Sequence, residues 1–446
     1  MTRSIKTTAL LLSLMFASWV SAQTANTKHE FSIQQCVEYA SKNNVQVKNA
    51  LLAIKIQEQS NREVTSAALP TVSGSLGLTD YLKIPTTLLP AQFFGGAAGT
   101  YEPVQFGTKY NSSANIQFQQ LLFDGQVFVG LQARAASLEY QKKNVEVTQE
   151  TIKTNIHKIY YQLVVSKTQI ALLDANIERL EKLLHDETVM YKNGFAEKLD
   201  LDKLSVQLAN LKTQKQKTLN SIEIGYLGLK TLLGMPIKDT LVLTDQVTED
   251  KIKTGIADSG YQYNDRKEFQ YLNIVKQLNE YNIKRYKLSY YPTVALSGVY
   301  SKQAQRTQFD IFGKGDWFTT SYLGLNISIP IFDGFAKESR INQAKFTLLQ
   351  TNNQIDNLKL SIDNEVKQAV LNFQTAAAAI DNQRKNMDLA ESVYNQTKKK
   401  YESGTGSNIE INNAQTDLIA AQTNYINALY DAVIAKIDYE KAVGKL

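Results

Sequence analysis

Two stretches of the chain, 131–193 and 335–403, run for 63 and 69 residues without a glycine or a proline. Those two residues end most helices. Their absence from segments rich in Ala, Leu, Gln, Lys and Asn predicts helical rods on the order of 100 Å long, at about 1.5 Å per residue. Shorter breaker-free stretches at 28–69, 195–224, 261–291 and 407–443 predict four further helical segments. Such rods have little core of their own and must bury apolar stripes against one another.

The stripes repeat every seven residues. In the first rod Leu131, Leu138, Val145 and Ile152 are followed, after one step of four, by Ile156, Leu163, Ile170, Ile177, Leu184 and Tyr191. The second rod has Ile341, Leu348, Ile355 and Ile362, one step of four, then Val366, Phe373, Ile380, Met387, Tyr394 and Tyr401. Seven is the coiled-coil period, and a four-residue insertion relaxes the supercoil locally. Every position of the second series lies 210 residues after its counterpart in the first.

The offset continues beyond the rods. Tyr191-Lys192-Asn193-Gly194 matches Tyr401-Glu402-Ser403-Gly404, Leu199 matches Ile409, and Leu233-Gly234 matches Val443-Gly444. Upstream, Leu69-Pro70-Thr71-Val72 matches Tyr291-Pro292-Thr293-Val294 at 222, and Phe123-Asp124-Gly125 matches Phe332-Asp333-Gly334 at 209, so the first copy carries 13 extra residues between its Pro and its Phe-Asp-Gly. The chain is one unit written twice. The first repeat is expected at 23–236, with a β-hairpin at 71–122 and a long helical hairpin at 131–233. The second is expected at 261–446, with the corresponding hairpins at 293–331 and 335–443, after a polar linker at 237–260.

Between the Pro and the Phe-Asp-Gly of each copy the apolar period drops to two. Tyr110, Ser112, Ala114, Ile116 and Phe118 alternate with Asn, Ser and Gln, and Leu323, Leu325, Ile327 and Ile329 alternate with Gly324, Asn326 and Ser328, the signature of two-faced strands. Residues 72–81 and 294–300 are the weaker partners. These lengths approach what a tilted membrane strand needs. Four strands cannot close a barrel and open edges aggregate, so several chains must pool theirs; two, three or four chains would supply 8, 12 or 16 strands. A small soluble hairpin domain interrupting a coiled-coil rod is the other arrangement that the alternation allows.

Residues 1–22 read as a secretory signal, with Arg3 and Lys6 before an apolar run and Val20-Ser21-Ala22 at the cleavage site. The single cysteine, Cys36, does not follow that site, so no lipid anchor is expected. The remainder carries 47 Lys and Arg against 43 Asp and Glu, too even a balance to argue for nucleic acid. No later stretch approaches the roughly 18 consecutive apolar residues of a membrane-spanning helix. Any crossing must use strands closed into a barrel.

In this order, the export signal, the duplicated series of helix, Pro-led hairpin, Phe-Asp-Gly and helical hairpin, and the Tyr-x-x-Gly at each tip resemble the TolC-like outer-membrane efflux proteins over nearly the whole mature chain. Asn43-Asn44-Val45-Gln46-Val47 and Arg266-Lys267-Glu268-Phe269 resemble the family's openings to the helix before each Pro. The resemblance implies a mainly α fold with β, in which a long coiled-coil tunnel (an α-barrel) in the periplasm continues into a transmembrane β-barrel in the outer membrane, shared by three chains. It implies a passive channel component of a tripartite efflux or type I secretion system. The implied partners are two further copies in a homotrimer, a periplasmic adaptor (membrane fusion) protein, an inner-membrane transporter and outer-membrane lipid. No cofactor is implied.

In the resembled family the tunnel closes at the helical tips. Here Gly194, Phe195, Gly404, Thr405 and Gly406 are the expected adaptor-facing residues, the glycines also serving the tight turn that positive φ permits. Asp200 and Glu410, each six residues past its tip glycine, are candidates for acid rings that hold cations, although acids there also favour the helix dipole. Asn413 stands where the family pattern has a second acid, and Gly406 where it can have an Arg; both departures imply a tip tied less tightly, or by other contacts. Tyr191 and Tyr401 complete the candidate pore gate. Phe93 and Phe94 lie in the longer loop of the first copy, and Trp317 precedes a strand, as an interfacial aromatic would.

The three histidines, His29, His157 and His185, show no zinc-ligand spacing, and there is no Gly-x-x-x-x-Gly-Lys loop. No enzyme, metal site or internal energy source is expected. The alternative from another class is a periplasmic coiled-coil adaptor or binding protein without a pore. Such an adaptor would have one helical hairpin flanked by compact all-β domains, where this chain has two hairpins.

Overall fold

A computed structural model describes residues 27–253, 260–310, 313 and 315–446. The export signal expected at 1–22 lies outside the described residues. The first repeat contains β1 (Lys28–Phe31), α1 (Ile33–Asn43), α2 (Val45–Ser66), β2 (Thr71–Asp80), β3 (Thr86–Pro90), β4 (Tyr101–Gln105), β5 (Tyr110–Phe123), α3 (Gly125–Lys192) and α4 (Lys198–Leu233). Then come β6 (Thr240–Leu243) and α5 (Glu249–Lys253). The second repeat follows with α6 (Lys267–Leu288), β7 (Thr293–Arg306), β8 (Phe318–Ser328), α7 (Ala336–Glu402) and α8 (Asn408–Ala442). The chain divides into two compact units, a helical one (up to residue 52, 143–271 and 356–446) and one holding the main sheet (53–142 and 272–355).

In the sheet unit, β2, β5, β7 and β8 are neighbours in that order, all antiparallel, and the central β5–β7 pair joins the two repeats. Residues opposite one another in such a ladder share a face. One face gathers Val72 with Phe118, Ile116 with Tyr300, and Leu296 with Leu325. The other gathers Ser75, Asn115, Ser301 and Thr320 in one row. There Ser301 Oγ donates to Asn115 Oδ1 at 2.6 Å, and Asn115 Nδ2 to Ser75 Oγ at 3.4 Å. The apolar face is open, with Leu76 88% and Leu323 78% exposed. Among the described residues no helix is long and apolar enough to cross a membrane. The 13 extra residues do not form a plain loop as expected: β3 and β4 pair into a separate hairpin whose 3-10 turn carries the exposed Phe93 and Phe94.

In the helical unit the seven-residue stripes pack as expected around the step of four. Ile152 and Ile156 are both buried, as are Ile362 and Val366. The second stripe is buried at Phe373, Ile380 and Tyr394 and half-buried at Met387 between them. The first does not: beyond Leu163 the buried set shifts to Leu173 and Leu180, while Ile170, Ile177 and Leu184 are half-buried and Tyr191 is exposed. The reason is a change of partner. Ile152 to Leu163 pack with Cys36 of α1 and Leu229 of α4, whereas Val165 and Leu183 pack with α7 and α8. A straight α-helix drifts by about 20° per heptad, which brings a different row inward.

Local chemistry explains the helix ends that breakers alone misplace. Residues 28–69 do not form one helix: Ser32 caps α1, and Asn44 interrupts the run, its Oδ1 accepting the N–H of Gln46 and of Val47 to start α2. Conversely, α4 passes through Gly225, where a Cβ would lie 2.7 Å from Leu163, so this glycine provides a close approach rather than a stop. Each helical hairpin ends against the start of its own repeat: Asn44 Nδ2 donates to Leu232 O at 2.7 Å, and Arg266 Nη1 to Ala442 O at 3.2 Å.

The stretch 237–260, expected as a polar linker, packs as well as connects. Its β6 pairs in parallel with β1. The carboxylate of Glu249 accepts from Arg384 at 2.9 Å and Tyr425 at 2.7 Å, and Ile252 is buried among α3, α7 and α8. His157 of α3 is half-buried, and burial with Lys153 nearby pushes its pKa down to about 4.

Candidate functional site

The two helical tips turn in the same way. At the first, Gly194 has φ +79° and the N–H of Phe195 reaches back to Met190 O at 2.9 Å. At the second, Gly404 has φ +75° and Thr405 N–H reaches Lys400 O at 3.0 Å. A left-handed residue closing a helix in this way satisfies carbonyls that the helix leaves open. Gly406 acts differently. A Cβ there would meet Tyr401 N at 3.0 Å and Lys400 C at 3.1 Å, and its own N–H bonds Lys400 O, so a side chain would have to push the backbone of the preceding turn aside by a few tenths of an ångström.

The structure brings both tips together within the helical unit. Leu183 of α3, Leu204 of α4, Tyr394 of α7, and Ile411, Ala414 and Leu418 of α8 form one apolar cluster. Beside it the carboxylate of Glu187, 2% exposed, receives two donors from the second hairpin: the Tyr401 hydroxyl on Oε2 and Asn408 Nδ2 on Oε1. Asn412 Nδ2 in turn donates to Asn408 Oδ1. A buried carboxylate must be paired or hydrogen-bonded, and here the pairing is made across hairpins. Burial, then the hydrogen bond to Glu187 and nearby acids, pushes the Tyr401 phenol above its ordinary value.

A second polar layer lies deeper in the α3–α8 seam. Asn176 Nδ2 donates to Gln422 Oε1 at 2.7 Å, Gln415 Nε2 reaches Asn176 Oδ1 at 3.4 Å, and Arg179 Nη2 donates to the same oxygen at 2.5 Å. Asn176, Gln415 and Gln422 are all buried. Amides in an apolar seam fix register, because a slide would leave them unpaired.

The expected gate residues separate into groups. Tyr401 belongs to the inter-hairpin contact, but its counterpart Tyr191 is 43% exposed. Asp200, paired with Lys203 at 3.5 Å, and Asn413 line one groove of about 580 Å³ between the starts of α4 and α8, with Leu199, Val206 and Ile409 as its apolar wall. Glu410 is not in that groove; it pairs with Lys400 of its own tip at 3.5 Å, both half-exposed, while its N–H donates to the capping Ser407. Of the expected adaptor-facing residues, Phe195 is 81% exposed and Gly194, Gly404 and Thr405 are exposed. Glu187, Asn408, Arg179 and the buried amides were not expected. The available signal for Glu187 is its place seven residues after Leu180 and fourteen after Leu173, an acid in line with an apolar series.

Residues 274–445 match the family described as "Outer membrane efflux protein". The outer membrane protein TolC of Salmonella enteritidis is 21% identical over 344 residues, covering 75% of this chain and 69% of that one. The outer membrane efflux protein BepC of Brucella suis is 20% identical over 416 residues, covering 91% and 84%. Among solved structures, the outer membrane protein VceC of Vibrio cholerae superposes with a TM-score of 0.72 at 16% identity, covering 92% of this chain and 96% of that one. The two-repeat order of helix, strand pair and helical hairpin agrees with these matches: the chain has the fold of these channels and is similar in sequence to TolC-like outer-membrane efflux proteins.

Proposed function

We propose that this chain is the passive outer-membrane channel of a tripartite efflux or secretion system, a homotrimer whose three sheets close one barrel and whose helical tips form the periplasmic gate. The observation that carries this reading is the sheet. Among the described residues β2 and β8 each pair on one side only, and the same sheet presents one apolar and one hydroxyl- and amide-rich face. A membrane core tolerates neither an open edge nor an unsatisfied backbone. Edge-to-edge pairing of β8 of one copy with β2 of the next removes both problems, with the apolar face to lipid and the polar face to water.

The gate rests on the tips. The Glu187 contact with Tyr401 and Asn408 holds the second hairpin to the first, and opening the tunnel requires this contact to part. Phe195, Gly404 and Thr405 face the adaptor, which links the channel to an inner-membrane transporter. Asp200 and Asn413, with Glu410 on the neighbouring tip surface, meet cations at the entrance. The test is the protein mass of the detergent-extracted mature chain by light scattering. Three copies are expected; a single copy released from the periplasm without detergent would replace this reading with the poreless adaptor.

A further inference from the structure

We infer that the barrel part of the conduit is charge-blind: its water-facing wall is a sleeve of hydroxyls and amides that lets solutes of either sign pass alike. The inference rests on the channel reading above and on the register of the four strands. Followed across β2, β5, β7 and β8, the polar face holds rows such as Ser75–Asn115–Ser301–Thr320 and Gly77–Ser113–Gln303–Phe318. No Asp, Glu, Lys, Arg or His falls on that face anywhere along the four strands.

The strands do carry charges, but elsewhere. Asp80 and Arg306 share the row of Tyr110, and Lys302 shares the row of Leu76 and Ala114; all three lie on the apolar face, toward the strand ends remote from Pro70 and Pro292. Side chains there lie where a barrel meets headgroups rather than its lumen. A charged lining would act strongly. A cleft lined by one sign of charge raises or lowers local ion concentration by roughly ten-fold or more. Hydroxyls and amides instead offer both donors and acceptors to whatever passes, so whatever charge selection the channel makes belongs to its helical part.

The local potential can be read by thiol chemistry, since Cys36, the only native cysteine, is fully buried. Ser75→Cys, Gln117→Cys and, as an apolar-face control in the uncharged row of Val72, Phe118 and Gly298, Leu323→Cys are made in the full chain and reconstituted in lipid vesicles. Reaction rates with a cationic and an anionic methanethiosulfonate of similar size are compared, and their ratio is divided by that for a small free thiol. At Ser75→Cys and Gln117→Cys the normalised ratio is expected within about two-fold of one, against the roughly ten-fold bias of a charged lining. Leu323→Cys is expected not to react. A bias of five-fold or more, in either direction, at the two polar-face positions would overturn the charge-blind sleeve while leaving the barrel intact. Reaction at Leu323→Cys with none at the other two would overturn the barrel orientation itself.

Discussion

At the first helical tip Tyr191 and Phe195 stand in the open, 43% and 81% exposed, whereas 210 residues later Tyr401 turns inward and gives its hydroxyl to Glu187 of the first hairpin. The backbone turns are alike, with Gly194 at φ +79° and Gly404 at +75°. Duplication has therefore kept the turn, which depends on one residue without a Cβ, and has let the side chains around it diverge. The tie is made once per chain, by a carboxylate of the first repeat and two donors of the second. The acids divide in the same way: Asp200 lines the groove between the tips, while Glu410 stays with Lys400 of its own turn.

Removing the tie breaks the comparison most directly. Glu187→Ala leaves Tyr401 and Asn408 without their acceptor, at a cost of about 1–3 kcal/mol, and is expected to raise the resting conductance in planar bilayers several-fold while lowering the melting temperature. Alanine at the turn glycines should act alike at both tips: Gly194→Ala and Gly404→Ala each force a side chain into positive φ and should each cost about 1 kcal/mol, checked by thermal unfolding. Unequal costs would mean that the shared turn is not what duplication preserved.

Alkaline pH sharpens the contrast further. The folded Tyr401 phenol titrates above the ordinary tyrosine range near pH 10, so its contribution is fully present below that pH and is lost as pH rises through the folded value. The stability gap between wild type and Tyr401→Phe should therefore narrow above about pH 10. The smallest effects belong to the exposed pairs. Asp200→Asn and Glu410→Gln should each change stability by no more than about 1 kcal/mol, while the double variant lowers cation preference in reversal-potential measurements; an unchanged preference would remove these acids from the gate.

Most of the fold is legible in the sequence because long-range order here is periodic. Breaker spacing marks the rods, period two marks the sheet faces, and the 210-residue offset marks the duplication. What escapes is set by partners rather than by period. The stripe beyond Leu163 rotates because α3, packed there on α1 and α4, takes on α7 and α8 as further partners. The short β6 rests on its parallel pairing with β1, whose nearest residues are about two hundred positions away in sequence. At the tips, turn glycines and acids are found by offset and family resemblance. Glu187, Asn176 and Gln422 are found only when both hairpins are seen together, since each is an ordinary polar residue until its partner is known.

The measurement that goes to the centre of this account is single-channel recording of Tyr401→Phe beside Tyr191→Phe in planar bilayers. Loss of one hydroxyl at the second tip should raise the resting conductance, and the same change at the first tip should leave it as in wild type. An unchanged conductance in Tyr401→Phe, or an equal rise in both variants, would contradict a gate held through the second tip.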